Sequence, residues 1–322
     1  MENYSIVEYS SSYKNDWDKF VEIGEINSFL FKRDFIEYHK NRFIDNSLII
    51  YLNEKIIAIF PANLDENKSI NSHQGLSYGG ILFEPKTTLE KRKQVFFVVL
   101  KYLYERKINE INLKQIPLFF LDQIYNTKIL EIVDAKLIRS DIHSYIPKLS
   151  YCKPNNDRFK YIRKASRKNF EIVQSNHFDI FWDKLLIPNL KNRHNVSPVH
   201  SIEEIILLSK NFPENIIFTG CYQNDNLRAG NVIFLNDDIA HTQYISGDEN
   251  RKDGSLDFLM HQTILKFNKT KKFSFGSSSE KNGTKVNKGL LYWKDSFKSL
   301  RSSQNFYNIK TINYKNLSKK IK

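Results

Sequence analysis

A chain of 322 residues, 41% of them hydrophobic, has enough apolar side chains for one large or two ordinary globular cores, which excludes a disordered polar chain. Its 49 Lys and Arg against 36 Asp and Glu leave a net charge of +13, which favours phosphorylated or polyanionic partners and anionic membrane surfaces. Cys152 and Cys221 lie far apart with no Cys-x-x-Cys pairing, so neither a disulfide framework nor a zinc site is indicated, and no metal is expected.

The first residues, Met1-Glu2-Asn3-Tyr4-Ser5, lack a basic and then apolar leader pattern, and no run approaches the length of a membrane span. The expectation is a cytoplasmic protein that can touch the inner membrane face from outside the bilayer. Residues 4–9 read as a strand, and Trp17, Phe20 and Val21 fall at helical spacing after Asn15 or Asp16 as a cap. Residues 29–43 continue as an aromatic-rich amphipathic segment, a pattern more typical of core than of a ligand box. Residues 48–52, the turn Asn53-Glu54-Lys55 and residues 56–64 then make an antiparallel meander. A glycine-dense turn follows at 75–80, then a helix over 87–106 and a strand over 110–113.

The second half repeats this order. Apolar runs at 216–221, 227–235 and 239–246, separated by Asn/Asp clusters, read as antiparallel hairpins. Residues 247–254 hold no apolar side chain, and 255–267 switch to helical spacing with Leu256, Leu259, Met260, Ile264 and Phe267 on one face. A strand over 272–276 runs into the polar segment Ser277-Ser278-Ser279-Glu280. The two meanders are offset by about 165 residues, a domain's length, which predicts two copies of one α+β unit. They divide into domains 1–150 and 151–322, joined through the Lys/Asn/Pro-rich stretch 147–154.

Residues 158–170, read as a helix, place Lys160, Arg163, Lys164, Arg167 and Lys168 in one basic sector. That sector is either a phosphate grip or a solvated face. A helix over 181–190 precedes a loop holding His194 and His200, which can supply a base, bind a substrate hydroxyl or hold the loop together. Ser201 reads as the cap of the next helix rather than a nucleophile.

Transfer of a group from a phosphorylated donor needs a phosphate pocket, a base and a proton donor for the leaving group. Arg251, Lys252, Gly254 and Ser255 precede a helix, where backbone N–H groups and two cations can meet a pyrophosphate, or where Asp253 or Ser255 simply caps it. His241 and Gln243 share one face of their strand, with Thr242, Tyr244 and Ser246 on the other. His241 is the favoured base, Glu280 the competing one, and Tyr244 either protonates a leaving group or packs.

The segments Asn189-Leu190-Lys191-Asn192-Arg193-His194, Pro198-Val199-His200-Ser201, 240–246, Phe275-Gly276-Ser277-Ser278-Ser279-Glu280, Asn282-Gly283 and Asn287-Lys288-Gly289-Leu290 together resemble the Fem-like branch of the GNAT acyltransferases. Members of that branch often occur with surface-polysaccharide biosynthesis. The resemblance implies two tandem GNAT-like units, each a mixed, mostly antiparallel sheet flanked by helices, with the donor site in the second. Residues 158–170 resemble the basic helix that opens the second unit there. The glycine loop 75–80 resembles one in the first unit, which puts Tyr78 among the substrate-binding candidates with Lys160, Arg163, Arg167, His194 and His200.

The implied activity is N-acyl transfer from acyl-CoA, acetyl-CoA first, to the amine of a phosphorylated amino sugar, nucleotide-linked or lipid-linked. Aminoacyl transfer from tRNA to a peptidoglycan or glycan amine is the second expectation, disfavoured because the chain lacks the long heptad-patterned insertion of certain tRNA-dependent Fem enzymes. DNA is not an expected partner. The strand before Gly276 usually carries an acidic residue where this chain has Ser274, which makes a non-catalytic glycan-binding protein a third expectation.

Overall fold

The computed structural model describes residues 3–121 and 124–320. Its chain divides into two compact units, Met1–Asp141 with Asn282–Thr284 and Ser303–Lys322, and Ile142–Lys281 with Lys285–Ser302. A single cut near residue 150 misses one feature. The end of the second half, from Ser303 onward, belongs to the first unit, because the strand Leu300–Lys310 pairs there, Tyr307 opposite Leu113 and Ile309 opposite Ile111.

The first unit opens with an antiparallel sheet in the order Tyr4–Glu8, Leu48–Leu52, Lys55–Phe60, Leu82–Phe83. Asn53 makes the hairpin turn at φ 56°, a conformation Asn tolerates at little cost. The expected strand over 56–64 is broken at Pro61, which lacks the N–H a ladder needs, and resumes as Asn63–Leu64. Residues 29–43 form short helical turns, Phe29–Phe31, Arg33–Ile36 and Glu37–His39, rather than one helix. Helix Leu89–Glu105, capped by the Thr88 side chain, links strand Ile70–Asn71 to the parallel strand Glu110–Lys114. Val95, Val99, Leu100 and Leu103 on that helix are fully buried against Leu48, Ile50 and Ile111.

The second unit repeats the scheme. Strands Glu171–Ser175, Ile216–Gln223, Asn226–Leu235 and Ile239–Gly247 are antiparallel neighbours. Asn224 and Asp225, at φ 49° and 60°, give the tight hairpin its two left-handed residues. Helix Ser255–Phe267 then crosses to strand Lys272–Ser277, which lies parallel to Ile239–Gly247. The far side of Lys272–Ser277 pairs antiparallel with the end of strand Lys136–Ile146, Ser277 opposite His143. Met260, Ile264, Ile233, Phe273 and Phe297 form its core. The second unit is thus a mixed, mostly antiparallel sheet with flanking helices and one parallel crossover, whereas the first unit keeps its four-stranded antiparallel sheet apart from the sheet that holds the parallel pair Ile70–Asn71 and Glu110–Lys114.

The helix expected over 181–190 runs from Phe178 to His194 with a π turn at Trp182–Leu186. Pro188 explains the irregularity, since it has no N–H to offer the preceding turn. The π turn brings Asn189 to the end of strand Ile239–Gly247, where its amide donates to Ser246 Oγ and Gly247 O, both at 2.6 Å.

Candidate functional site

Strands Ile239–Gly247 and Lys272–Ser277 pair over only three positions, ending at His241 opposite Ser274. Beyond that point both strands run on without pairing to each other. A register slip adds to the opening, because Val232 faces Tyr244 and Ile233 faces Thr242, leaving Gln243 as the extra residue of a bulge. Bulges re-aim side chains and end ladders, and both happen here at the mouth of a splayed parallel pair.

Two nitrogen bases, His241 and Lys294, gather at this mouth. The Nδ1 of His241 lies 2.9 Å from Ser274 Oγ, which also accepts the Gly276 N–H at 3.2 Å, and the imidazole packs against Gly276. Ser274 therefore fixes the ring. Desolvation, with smaller contributions from His143 and Lys294, lowers the His241 pKa to about 3. The imidazole is neutral at physiological pH, yet it is a weak base, which counts against the role expected of it.

Lys294, on helix Lys288–Asp295, is 3% exposed and donates to Gly276 O at 3.0 Å and Ser277 O at 2.7 Å. Burial alone lowers its pKa to about 7. A neutral amine has two N–H donors and one lone pair, so these two carbonyls occupy the donors and leave the lone pair for a proton. A base is most effective with a pKa near the working pH, and Lys294 is matched where His241 is not. A lysine three residues from Leu291 on an otherwise apolar helix face was the sequence signal for it.

Glu280 sits on the hairpin that pairs Ser279–Glu280 with Lys285–Val286. Its carboxylate accepts from Asn287 Nδ2 at 2.7 Å and lies 3.5 Å from Lys285 Nζ. Tyr244 is 8% exposed, its ring edge-on to Trp182, and its hydroxyl is 2.6 Å from His200 Nδ1 and accepts the His200 N–H at 3.1 Å. Burial raises the Tyr244 pKa to about 12. Tyr244 and the 4% exposed His200 thus lock a loop to the sheet. Tyr244→Phe is expected to lower unfolding free energy by about 1–3 kcal/mol, the cost of a buried group left without its partner. Denaturant unfolding measures it. A loss of turnover with unchanged stability would instead return Tyr244 to protonating a thiolate.

The helix start at 251–255 is built differently from the expected phosphate cradle. Asp253 accepts the Ser255 N–H at 2.8 Å and receives Arg228 at 2.8 Å, so a carboxylate already occupies the turn. Asp257, one turn in, pairs with Arg158 at 2.7 Å and accepts from Trp293 Nε1 at 2.8 Å. Gly254 has φ 84°, and a Cβ there would stand 2.6 Å from the Tyr161 carbonyl oxygen. Two acids and a packed helix fill the space, so Gly254 and the 2% exposed Ser255 serve the packing of two helices. Lys252 is exposed and lines a cleft of about 600 Å³ with Arg158, Lys160, Tyr161 and Tyr292. The side chains of Arg251 and His194 lie outside those described.

The basic segment forms a helix over Asn156–Ala165, capped by Asn155, shorter than expected because Ile162 and Ala165 are its last buried positions. Lys160, Arg163, Lys164, Arg167 and Lys168 line one shared groove on the second unit. Among the described residues, only Lys160 of these five has an ion-pair partner, Asp157 at 3.7 Å. Tyr78 belongs to the first unit, 3% exposed, its hydroxyl 3.1 Å from Ser28 and its ring edge-on to Phe31 and Phe120. That placement makes it a core residue, not a substrate contact. Among the described residues no cluster of three or more His, Cys, Asp or Glu is placed to hold a metal, and no helix is long and apolar enough to cross a membrane.

No family model matches the chain, and no curated protein does. Solved structures do. FemX superposes with a TM-score of 0.68 at 10% identity, covering 94% of this chain and 96% of FemX. This chain shares its fold with FemX. L-PGS from Bacillus licheniformis superposes with a TM-score of 0.60 at 9% identity, covering 91% and 90% of the two chains. A tandem GNAT protein from the clavulanic acid biosynthesis pathway gives 0.51 at 9% identity over 96% of this chain and 99% of that one. At these identities the likeness is one of fold.

Proposed function

We propose that the protein is an N-acyltransferase whose second unit moves an acyl group from acyl-CoA, acetyl-CoA first, to the amine of a phosphorylated amino sugar. The observation that carries this reading is the splayed strand pair with the buried, carboxylate-free Lys294 amine at its mouth. An extended thioester arm is proposed to enter the gap between two strands that stop pairing at His241 and Ser274. In the transfer, the acceptor nitrogen attacks the thioester carbonyl, a C–N bond forms and the C–S bond breaks. Before the attack neutral Lys294 takes one proton from the incoming ammonium and passes it to solvent, and the second N–H proton, lost as the tetrahedral intermediate collapses, ends on the departing thiolate through Lys294 or solvent. The groove of Lys160, Arg163, Lys164, Arg167 and Lys168 binds the acceptor's phosphates, whether nucleotide-linked or lipid-linked.

The purified chain should bind coenzyme A and acylate an amino-sugar nucleotide. In that assay Arg163→Ala and Arg167→Ala should raise the acceptor KM with the donor KM unchanged, each by about 1.5–3 kcal/mol if the contact is direct. Unchanged acceptor KM in both variants would make the helix a solvated face. Absence of binding to any CoA thioester would overturn the acyl-CoA reading.

The same groove favours a second reading, aminoacyl transfer from charged tRNA, because five clustered cations with one weak acidic partner suit a polyanion. Binding of tRNA should then weaken steeply with salt, by a log–log slope of about 0.7–0.9 per phosphate neutralised. A chain that binds CoA and shows no tRNA shift at low salt fits the first reading alone. The basic groove also supports contact with an anionic membrane surface, where lipid-linked acceptors would lie.

A further inference from the structure

The first unit holds a small, half-open cavity that the transfer chemistry does not use. It measures about 80 Å³ and is lined by Asn71, Ser72, His73, Gln74 and Lys114, with an apolar rim that includes Ile138 and Phe306. His73 is 2% exposed, and its Nδ1 has no hydrogen-bond partner among the described residues. A stacked His39, ring centroid 5.1 Å away and 13° from parallel, closes the back of the site. His39 itself fits only because residue 75 is glycine, whose Cβ would fall 2.0 Å from His39 Nε2. Lys114 donates to Leu76 O at 2.5 Å and, weakly, to Gln74 O at 3.4 Å, and has no carboxylate partner among the described residues.

A half-buried ammonium with no carboxylate partner among the described residues, near a buried imidazole nitrogen without a partner, is an arrangement that a bound anion would stabilise. We propose that this cavity binds a small oxyanion, a carboxylate or a phosphate group, held by the Lys114 ammonium and the His73 imidazole. The apolar rim then takes the carbon skeleton that carries the anion. The site stands on its own observations in the first unit and does not depend on the transferase reading.

The electrostatics agree. Desolvation, with the Arg139 charge adding to it and Asp141 opposing it, lowers the Lys114 pKa to about 8. Desolvation likewise takes His73 to about 3, with His39, Arg33 and Lys114 lowering it further and Asp45 opposing. Both histidines are neutral across the working range, His39 at about 4, and Arg139 is tied to Asp141 at 2.6 Å, so Lys114 is the group that titrates. A bound anion favours the ammonium, so affinity holds below pH 8 and weakens as pH rises through it.

The test is a titration of the full chain, labelled at histidine, with acetate and with inorganic phosphate, following the His73 ring signals by NMR. His73 is assigned from its loss in His73→Gln. Saturable shifts are expected in the wild type and a tenfold or greater weakening, about 1.4 kcal/mol, in Lys114→Met. If that variant does not fold, the wild type alone decides, since acetate affinity must fall about tenfold per pH unit above the Lys114 pKa. A response to acetate alone, phosphate alone or both tells a carboxylate ligand from a phosphoryl one. A stationary His73 signal at about 50 mM of either anion, equal affinity in Lys114→Met, or a pH-independent affinity would overturn the proposal.

Discussion

Lys294→Met is expected to lower turnover by about 10²–10⁴-fold, the contribution of a positioned general base, with the donor KM little changed. Methionine keeps the length and fills the same buried volume, so the loss isolates the amine. In the wild type, kcat/KM should rise with pH through about 7 and then level, because only the deprotonated amine accepts a proton. The variant should lose that rise. His241→Gln makes the contrast, since an imidazole held near pKa 3 has little capacity to take a proton from an ammonium, and its removal should be milder. A large loss in His241→Gln with Lys294→Met near wild type would reverse the two assignments.

Stability supplies an independent reading of the same residue. The fold lowers the Lys294 pKa from 10.5 to about 7, so between those values the unfolded chain binds more protons than the native one. Stability therefore rises with pH across that window, and Lys294→Met should flatten the rise. A buried amine that destabilises the fold at neutral pH is the kind of group that clusters at functional sites, which supports the proposed role of Lys294.

Much of this was legible in the sequence where hydrophobic period and turn chemistry agree. The hairpin at Asn224-Asp225, the helix Ser255–Phe267 and the repeated crossover follow from alternation, Asn/Asp turns and a change to helical spacing. The strand Leu300–Lys310 was not legible, because only Gln304 and Ile309 of its eleven residues are buried and no alternating apolar signal results. The domain division suffers for it, since that strand carries the chain's end back to the first unit. His241, Ser274 and Gly276 come together as neighbours across a parallel pair, a register that no local pattern specifies. The role of Ser274 was hidden for the same reason. It is a departure from the expected acidic residue in sequence, and in space it is the group that fixes His241.

Gly254→Ala separates packing from donor binding at the helix start. The residue sits at φ 84°, where a side chain costs about 1 kcal/mol or more, and the new Cβ would meet the Tyr161 carbonyl oxygen at 2.6 Å. The obstacle is backbone of helix Asn156–Ala165, with the Ala165 Cβ at 3.2 Å behind it, so relief requires the two helices to part. That parting strains the Arg158–Asp257 pair, only 18% and 9% exposed, and the Asp257–Trp293 bond that shares its carboxylate. The expected loss is about 2–4 kcal/mol of unfolding free energy, read as a shift in denaturant midpoint at constant slope. Folded Gly254→Ala protein at low temperature should keep the donor affinity of the wild type, because Asp253 and Asp257 hold the turn that a pyrophosphate would need. If it instead kept full stability and lost donor binding, the glycine would be the phosphate contact its sequence position first suggested, and the two acids would have to turn away to admit the anion.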